Sequence, residues 1–291
     1  MRRLMFSILK KLSRTFTGTG IGRLPLVTRT YTFFLKLLVS DNFFEVQGHK
    51  MYIEPLDIDL GSGQIVVDDY EKFETELFKK QVKKGMTVLD IGAHIGYYTL
   101  LAANLVGENG RVFAFEPHPG HFALLEKNVR INGYKNVVLV QKAVSNKSEH
   151  TNLFLGEGSG LHSLSDRVGK KSIAVEAVTL DDFFDKDYKV DVIKIDVEGA
   201  EMLVLLGADG VITANDKLKI FTEFCPEYLK KAGFLPEEYL NKVMDYGFKL
   251  WNINDRRKQL EPVDDANFRS ICESEFTTNL YCVKDLTEGI S

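Results

Sequence analysis

Apolar runs and helical patterns alternate along most of the chain from residue 87 onward. The runs are rich in Val, Ile and Phe, which is typical of strands buried on both faces of a parallel sheet. The predicted strands are TVLDIGA, RVFAFEP, VVLVQKAVS, VDVIKIDVEG, LKIFTEF, FKLWNIN and NLYCVK. Helices are predicted from Tyr97, from Pro119 to Asn132, from Glu201 and from Pro236 to Tyr246. The pattern predicts an α/β fold built on one mostly parallel sheet.

The 291 residues are enough for one large domain with an appendage. Residues 1–42 form a basic amphipathic extension in this prediction, because residues 1–40 carry eight Lys and Arg and no acidic residue. Residues 43–84 are predicted as a β-hairpin around Gly48 followed by a helix. Residues 85–291 are predicted as the main domain, with a β-rich insertion at about 152–178.

The distribution of charge argues against nucleic acid as a partner. The net charge is −4 although residues 1–42 are basic, so the main domain is strongly acidic and offers no basic face for phosphates. The first 16 residues place apolar side chains at helical intervals between basic ones. Two interpretations stay open for them: a helix lying on an anionic membrane surface, or a helix packed on the body or on a second subunit.

Localisation follows from two further features. No apolar run approaches the roughly 20 residues that cross a bilayer. The three cysteines lack CxxC spacing, which argues against a disulfide framework and a cysteine zinc site. We therefore predict a cytoplasmic protein, with peripheral membrane contact if residues 1–16 bind lipid.

The predicted strands end in polar or small residues. In an open α/β sheet, ligands bind beyond the carboxyl ends of the strands, so these residues are expected to face a common crevice. In chain order they are Asp90 and Gly92, Glu116, Ala143 and Ser145, Asp196 and Glu198, and Glu223.

The stretch VLDIGAHIG, residues 88–96, predicts a strand that enters a tight turn and then a helix. Its G-x-x-x-G spacing differs from the G-x-G-x-x-G of dinucleotide sites, and Asp90 would repel a pyrophosphate. An acid there favours a cation, and S-adenosylmethionine (SAM) carries both an ammonium and a sulfonium. Glu116 could accept hydrogen bonds from the hydroxyl groups of the SAM ribose. Taken singly, the glycines fit a plain tight turn and Glu116 a solvated strand end; their conjunction favours cofactor binding.

Five stretches together resemble the FkbM-type SAM-dependent methyltransferases. They are VLDIGAHIGYYTLLAA, VFAFEPHPGHFALLEKNVRING, LVQKAVS, VEAVTLDDFF and VDVIKIDVEGAEMLVLLGA. KIDVEGAE and VTLDD are characteristic of this group, and the resemblance runs from about Tyr70 to Lys284. It implies a Rossmann-like class I methyltransferase fold, with a seven-stranded sheet whose last strand is antiparallel. It also implies O-methylation of a hydroxyl on a sugar, lipid or small-molecule natural product.

The resemblance also implies cofactor contacts. The methionine part of SAM would contact Asp90, Gly92, Ala93 and Gly96, the ribose Glu116, and the adenine Ala143 to Ser145. His94, in the same turn, is a further predicted cofactor contact. Two positions depart from the family pattern: His94 stands where the family usually has Asn, and His162 lies where a serine pair is common. A lone histidine is more often structural than catalytic, and a structural role is favoured for His94, whereas for His162 both roles stay open.

A carboxylate near the acceptor could serve as general base, and Asp196 is the first candidate, followed by Glu198 and Glu223. Glu198 and Glu201 could instead be charges that stabilise a helix N-terminus. A magnesium ion held by Asp196 and Glu223 is a second mechanism, but the sequence offers no evident third ligand, so no metal is predicted. Two other functions compete with an enzyme of this kind. One is a catalytically silent SAM-binding partner protein. The other, an NAD-dependent oxidoreductase, is disfavoured by the missing G-x-G-x-x-G.

Overall fold

The computed structural model describes residues 43–53, 70–156, 162–164 and 171–284. The chain forms two compact units that divide between Lys72 and Phe73. The predicted boundaries at residues 42 and 84 stay predictions, and the basic extension lies outside the described residues. Within the described part of the chain, no helix is long and apolar enough to cross a membrane.

The described part of the first unit is mainly a β-hairpin. Strands β1 (Phe44–Val46) and β2 (His49–Met51) pair in antiparallel fashion across a two-residue turn. Gln47 and Gly48 both have positive φ, 50° and 82°, as a type I′ turn requires. The turn chemistry thus accounts for the hairpin predicted around Gly48.

The second unit contains an eight-stranded central sheet. Its strands, in chain order, are β3 (Thr87–Ile91), β4 (Arg111–Phe115), β5 (Val137–Val140), β9 (Val192–Ile195), β10 (Lys219–Phe224), β11 (Lys249–Asn254), β12 (Gln259–Pro262) and β13 (Thr278–Val283). Their spatial order is β12-β11-β13-β10-β9-β3-β4-β5. Strands β5, β4, β3, β9 and β10 are parallel, and β13 inserts antiparallel between β10 and β11. The predicted seven-stranded sheet with an antiparallel last strand is confirmed, and the edge strand β12 extends it.

The helices follow the sequence pattern at the main crossovers. They are α1 (Lys72–Gln81), α2 (Tyr97–Val106), α3 (Pro119–Ile131), α4 (Leu180–Phe183), α5 (Glu201–Leu206), α6 (Asp209–Ala214), α7 (Pro226–Lys231), α8 (Pro236–Asp245) and α9 (Phe268–Cys272). The predicted helices at Tyr97, Pro119, Glu201 and Pro236 are all present. Helices α4, α6, α7 and α9 are at most six residues long and were not predicted, because so few residues carry little periodicity.

A second, three-stranded sheet corrects the prediction for VVLVQKAVS. The Lys142 amide donates to the Val140 carbonyl at 2.9 Å, which closes a γ-type turn and ends β5. Strand β6 (Ala143–Val144) then leaves the central sheet and pairs with β8 (Ser172–Val178), and β8 pairs with β7 (His150–Phe154). Ala143 therefore lies in the insertion's sheet rather than at the end of a central strand.

Candidate active site

The glycine turn, residues 92–96, follows β3 and is held by the chain itself. The Gly92 and Ala93 amides both donate to the Phe115 carbonyl, at 3.0 and 2.9 Å. The His94 amide donates to Glu116 Oε2 at 2.9 Å, and the Gly96 amide to the Ala93 carbonyl at 2.8 Å. These four amides are satisfied within the protein, so the turn keeps its shape without an anion.

Both glycines of the turn are required by close approach. A Cβ on Gly92 would lie 1.8 Å from the Asp196 carbonyl oxygen, and φ at Gly92 is 84°. A Cβ on Gly96, where φ is 98°, would lie 2.7 Å from Leu125 Cδ1. Gly92 therefore lets the ends of β3 and β9 meet, which brings the turn next to Asp196.

Glu116 fastens two loops at the end of β4. Its side chain is buried; Oε1 accepts from the His118 amide at 2.8 Å and Oε2 from the His94 amide at 2.9 Å. Burial raises the pKa of Glu116 to about 7, although these two hydrogen bonds oppose the shift. Each carboxylate oxygen keeps a lone pair after one bond, so Glu116 can still accept two hydroxyl groups.

Asp90 lies beneath the turn rather than at its surface. It is 3% exposed, and Oδ2 accepts from Thr99 Oγ1 at 2.5 Å, which ties β3 to the first turn of α2. Burial raises the pKa of Asp90 to about 6, against the hydrogen bond from Thr99 and the charge of Lys194. Asp90 is thus a desolvated carboxyl that a nearby cation would stabilise in its charged form.

Lys194 is a buried cation that sequence reasoning missed. It pairs with Asp90 across the β3–β9 register, so both side chains project from the same face of the sheet. Its Nζ lies 3.2 Å from Glu74 Oε1, 3.5 Å from Asp196 Oδ2 and 5.0 Å from the centre of the Tyr98 ring. The side chains of Lys194 and Glu74 are each 1% exposed. The signal was present in VDVIKID, where one lysine interrupts a buried strand.

Asp196, Glu198 and Glu223 form what we call the acidic crevice. Each offers one oxygen, and the three oxygens lie within 4.8 Å of one another. Burial raises the pKa of Glu223 well above its usual value, and the charges of Asp196, Glu198 and Glu201 raise it further. Glu223 Oε2 is buried and has no hydrogen-bond partner among the described residues. The Asp196 side chain is 27% exposed, which leaves it open to a substrate.

Glu198 and Glu201, whose roles the sequence left open, lie in different surroundings. Glu201 is buried at the start of α5, and its Oε1 accepts from the Gly199 amide at 3.0 Å. Glu198 lies before the helix with φ 54° and belongs to the acidic crevice. Its carbonyl oxygen accepts from Ser163 Oγ at 2.8 Å, so the described part of the insertion contacts the crevice.

The remaining predicted positions lie near the second sheet. Ala143 pairs with Ala177 on β8, and the Ser145 amide donates to the Val178 carbonyl at 3.0 Å. A Cβ on Gly207 would lie 2.0 Å from the Ser145 carbonyl oxygen, so the chain after β6 packs against the end of α5. The adenine contact inferred for these residues stays a prediction.

Four histidines also converge at this edge of the sheet, and sequence reasoning singled out only His94 and His162. His118 precedes α3 and its Nδ1 accepts from the His121 amide at 3.3 Å, as an N-cap does. The His121 ring lies 4.2 Å from that of His94 and 5.0 Å from that of His162. The signal for His118 and His121 was their spacing at a helix start directly after Glu116.

The site fits a cationic cofactor better than an anionic one. Asp90 and Glu116 are desolvated carboxyls with raised pKa values, and the four bonded amides of the glycine turn are already occupied. A positive charge would stabilise the ionised form of both carboxyls, whereas a phosphate would be repelled. The ammonium and sulfonium of SAM meet this condition.

Comparison with known proteins gives two results. A model of the methyltransferase FkbM domain matches residues 90–250. Protein-L-isoaspartate O-methyltransferases match shorter stretches. The one from Methanococcoides burtonii is 40% identical over 60 residues, which are 21% of this chain and 30% of that protein. The one from Caenorhabditis elegans is 32% identical over 95 residues, 33% of this chain and 37% of that protein. The chain thus spans about a third of the length of these relatives.

Solved structures with a similar fold include two methyltransferases. Methyltransferase FkbM from Methylobacillus flagellatus is 15% identical with a TM-score of 0.44, over 77% of this chain and 55% of that one. A SAM-dependent O-methyltransferase from Thermotoga maritima is 17% identical with a TM-score of 0.41, over 75% of this chain and 66% of that one.

Proposed function

The chain belongs to the FkbM methyltransferase family, and we propose that it transfers a methyl group to a hydroxyl of a sugar, lipid or small-molecule natural product. Membership of this family makes SAM the proposed methyl donor, and the finer part of the proposal concerns the acceptor. The observation that carries it is the acidic crevice, where three carboxylate oxygens lie within 4.8 Å of one another.

The crevice favours an alcohol over a carboxylate as acceptor. The related isoaspartate enzymes are named for an acidic residue, and such an acceptor would bring a further negative charge beside Asp196, Glu198 and Glu223. At about 4 Å, two like charges near a protein surface repel by about 4 kcal/mol. A neutral hydroxyl avoids that repulsion and can donate its hydrogen bond to a carboxylate.

Asp196 is our candidate for the general base. It is partly exposed, whereas Glu223 has a raised pKa and therefore keeps its proton over a wider pH range. A base must be ionised at working pH and within hydrogen-bond reach of the acceptor oxygen. SAM supplies the electrophilic methyl group; the protein aligns the acceptor with it and removes the hydroxyl proton.

A divalent cation in the crevice is a second mechanism. The sequence offered no third ligand beside Asp196 and Glu223, but the structure brings Glu198 to them. Three carboxylates suit magnesium, which would lower the pKa of a bound hydroxyl. If a chelator abolishes turnover and magnesium restores it, this mechanism replaces the free base.

A competition assay tests the acceptor class. The full chain is incubated with radiolabelled SAM and a panel of hydroxylated sugars, lipids and polyols, with an isoaspartyl peptide as the matched acidic acceptor. Incorporation into a hydroxylated acceptor, located by mass spectrometry, supports the proposal. Incorporation into the peptide alone contradicts it. SAM binding without transfer to any acceptor would favour the catalytically silent partner protein.

The contact of residues 1–16 with a membrane also stays a proposal. It rests on basic and apolar residues at helical spacing in a stretch that lies outside the described residues. Sedimentation with anionic liposomes, lost at high salt or on deletion of residues 1–16, would support it. Sedimentation that the deletion leaves unchanged would assign the segment to packing or to oligomer formation.

A further inference from the structure

The histidine cluster, His94, His118, His121 and His162, contains four of the six histidines of the chain. They come from three places in the sequence: the glycine turn, the start of α3 and the insertion. The rings of His118 and His121 lie 4.4 Å apart, and those of His118 and His162 lie 4.6 Å apart. His121 and His162 stack with an angle of 5° between their planes. Histidines from separate segments of the chain thus meet at one place in the fold.

Three of these rings have the geometry of a metal site. His118, His121 and His162 each offer one nitrogen, and the three nitrogens lie within 4.8 Å of one another. Bonds of about 2.0 to 2.1 Å to a tetrahedral zinc ion would place the nitrogens roughly 3.4 Å apart. The rings therefore have to approach by no more than about 1.4 Å, a distance that side-chain rotation can supply.

We propose that His118, His121 and His162 bind one divalent transition-metal ion of the zinc class. Imidazole nitrogen is a ligand that zinc and its late first-row neighbours prefer, whereas magnesium prefers oxygen. The proposal does not depend on the methyl acceptor, and it assigns a different kind of cation to this cluster than the acidic crevice would take.

Two surroundings of His121 suit ligation. The His121 side chain is buried, so an ion bound to it would be largely shielded from water. His121 Nδ1 lies 3.8 Å from Glu116 Oε1. A carboxylate behind one ring nitrogen commonly orients a metal-bound histidine, which leaves Nε2 of His121 for the metal.

Metal binding has an identifiable cost. His118 Nδ1 accepts from the His121 amide at 3.3 Å, and His162 Nδ1 accepts from the Gly156 amide at 3.2 Å. Ligation through Nδ1 uses the lone pair that accepts this bond, and ligation through Nε2 moves the ring proton to Nδ1, so either mode gives up the bond. Both bonds are long for hydrogen bonds to a ring nitrogen, and a single neutral hydrogen bond contributes little to stability, so their loss is a small cost beside ligation of the ion.

The consequence of binding is a fixed insertion. His162 belongs to the insertion, and its neighbour Ser163 donates to the Glu198 carbonyl of the acidic crevice at 2.8 Å. An ion shared by His162 and the start of α3 would hold this contact in place. The cluster would thus link the cofactor side of the site to the segment expected to meet the acceptor.

The test uses the untagged full chain after treatment with a chelator and dialysis. Zinc is titrated against a chromophoric chelator, and one tight equivalent is expected. His162→Gln should lower zinc affinity by at least roughly 100-fold, more than loss of an outer-shell partner typically costs. His118→Asn should do the same while keeping an acceptor at the N-cap of α3. The matched control is His150→Gln, an exposed histidine on β7, which should bind zinc as the unmodified chain does.

Four results would overturn the proposal. One is the absence of a stoichiometric zinc site in the unmodified chain. Another is equal zinc affinity in His162→Gln and His150→Gln. The third is that Glu198→Gln loses zinc binding while His162→Gln keeps it, which would place the ion in the acidic crevice. X-ray absorption of the zinc-loaded chain should count three nitrogen ligands, and an all-oxygen shell would equally contradict the site.

Discussion

The glycine turn and the acidic crevice lie at the ends of adjacent strands, but they differ in how far their polar groups are hydrogen-bonded within the protein. In the turn, the four bonded amides find acceptors on Phe115, Glu116 and Ala93. In the crevice, three carboxylates face one another, and Glu223 Oε2 has no hydrogen-bond partner among the described residues. The turn is complete without a ligand, whereas the crevice carries repulsion that a proton, a cation or a hydroxyl donor would relieve. The turn after β3 thus provides rigid positioning, whereas the ends of β9 and β10 carry the charge repulsion.

Removing the charge of Asp196 should break the crevice's role most completely. Asp196→Asn keeps the size of the side chain but removes the proton acceptor, so turnover should fall by roughly 10²- to 10⁴-fold while SAM affinity changes little. Asp185→Asn, at an exposed carboxyl, is the control and should keep full turnover. Near-normal turnover of Asp196→Asn on an identified acceptor would eliminate Asp196 and leave Glu198 and Glu223 as candidates.

Lys194 joins the two regions, because its register partner is Asp90 and its charge lies beside Asp196. Lys194→Met should reduce the free energy of unfolding by about 3 to 5 kcal/mol, since it leaves the Glu74 carboxylate buried without its cation. Chemical denaturation measures this loss. Lys189→Met is the matched control: its ion pair with Asp191 at 3.2 Å is 79% exposed on the lysine side, so at most about 1 kcal/mol is expected. Similar losses in the two variants would refute a structural role for the buried pair.

The turn's role in binding should appear in SAM affinity. Glu116→Ala or Asp90→Ala should weaken binding by about 1 to 3 kcal/mol, because each removes a buried acceptor beside the expected cofactor. Titration calorimetry measures the change, and circular dichroism checks the fold. Glu126→Ala, at an exposed carboxyl on α3, serves as the control. Unchanged affinity in both buried variants would remove the cofactor assignment from this edge of the sheet.

The same comparison explains what the sequence could predict. The turn could be predicted because its glycines, its acid and the following helix are contiguous in the sequence. The central strands could be predicted because burial on both faces leaves apolar runs. The crevice was legible only as separate strand ends. Glu198 completes the crevice with a backbone φ of 54°. A glutamate in the sequence gives no sign of that conformation.

Long-range partners escaped prediction for a related reason. Glu74 belongs to α1, more than a hundred residues before Lys194, and no local pattern connects the two. The histidine cluster draws on three distant segments in the same way. The end of β5 at Val140 was missed because a γ-type turn needs no glycine or proline to mark it.

The smallest expected effect concerns Glu201, which belongs electrostatically to the crevice but structurally to the helix start. Burial raises its pKa from 4.5 to about 7, and the charge of Asp196 contributes. The folded chain therefore holds this proton more tightly than the unfolded chain, and the free energy of unfolding should decrease as pH rises from about 4.5 to about 7. In Glu201→Gln, Oε1 still accepts from the Gly199 amide, and an amide replaces Oε2, which has no hydrogen-bond partner among the described residues. The variant should be more stable than the unmodified chain by about 1 to 2 kcal/mol at pH 8 and equal to it near pH 4.

Urea denaturation across this pH range measures the effect, and Glu176→Gln supplies a control of opposite sign. The hydrogen bond and charge of Lys142 lower the pKa of the exposed Glu176. Removing that charge should therefore slightly destabilise the chain at neutral pH rather than stabilise it. A Glu201→Gln chain that loses stability at pH 8 would show that the Glu201 carboxylate is compensated in the folded state. The repulsion inferred for the crevice would then involve Asp196, Glu198 and Glu223 but not Glu201. The contrast with the glycine turn would be limited to those three carboxylates.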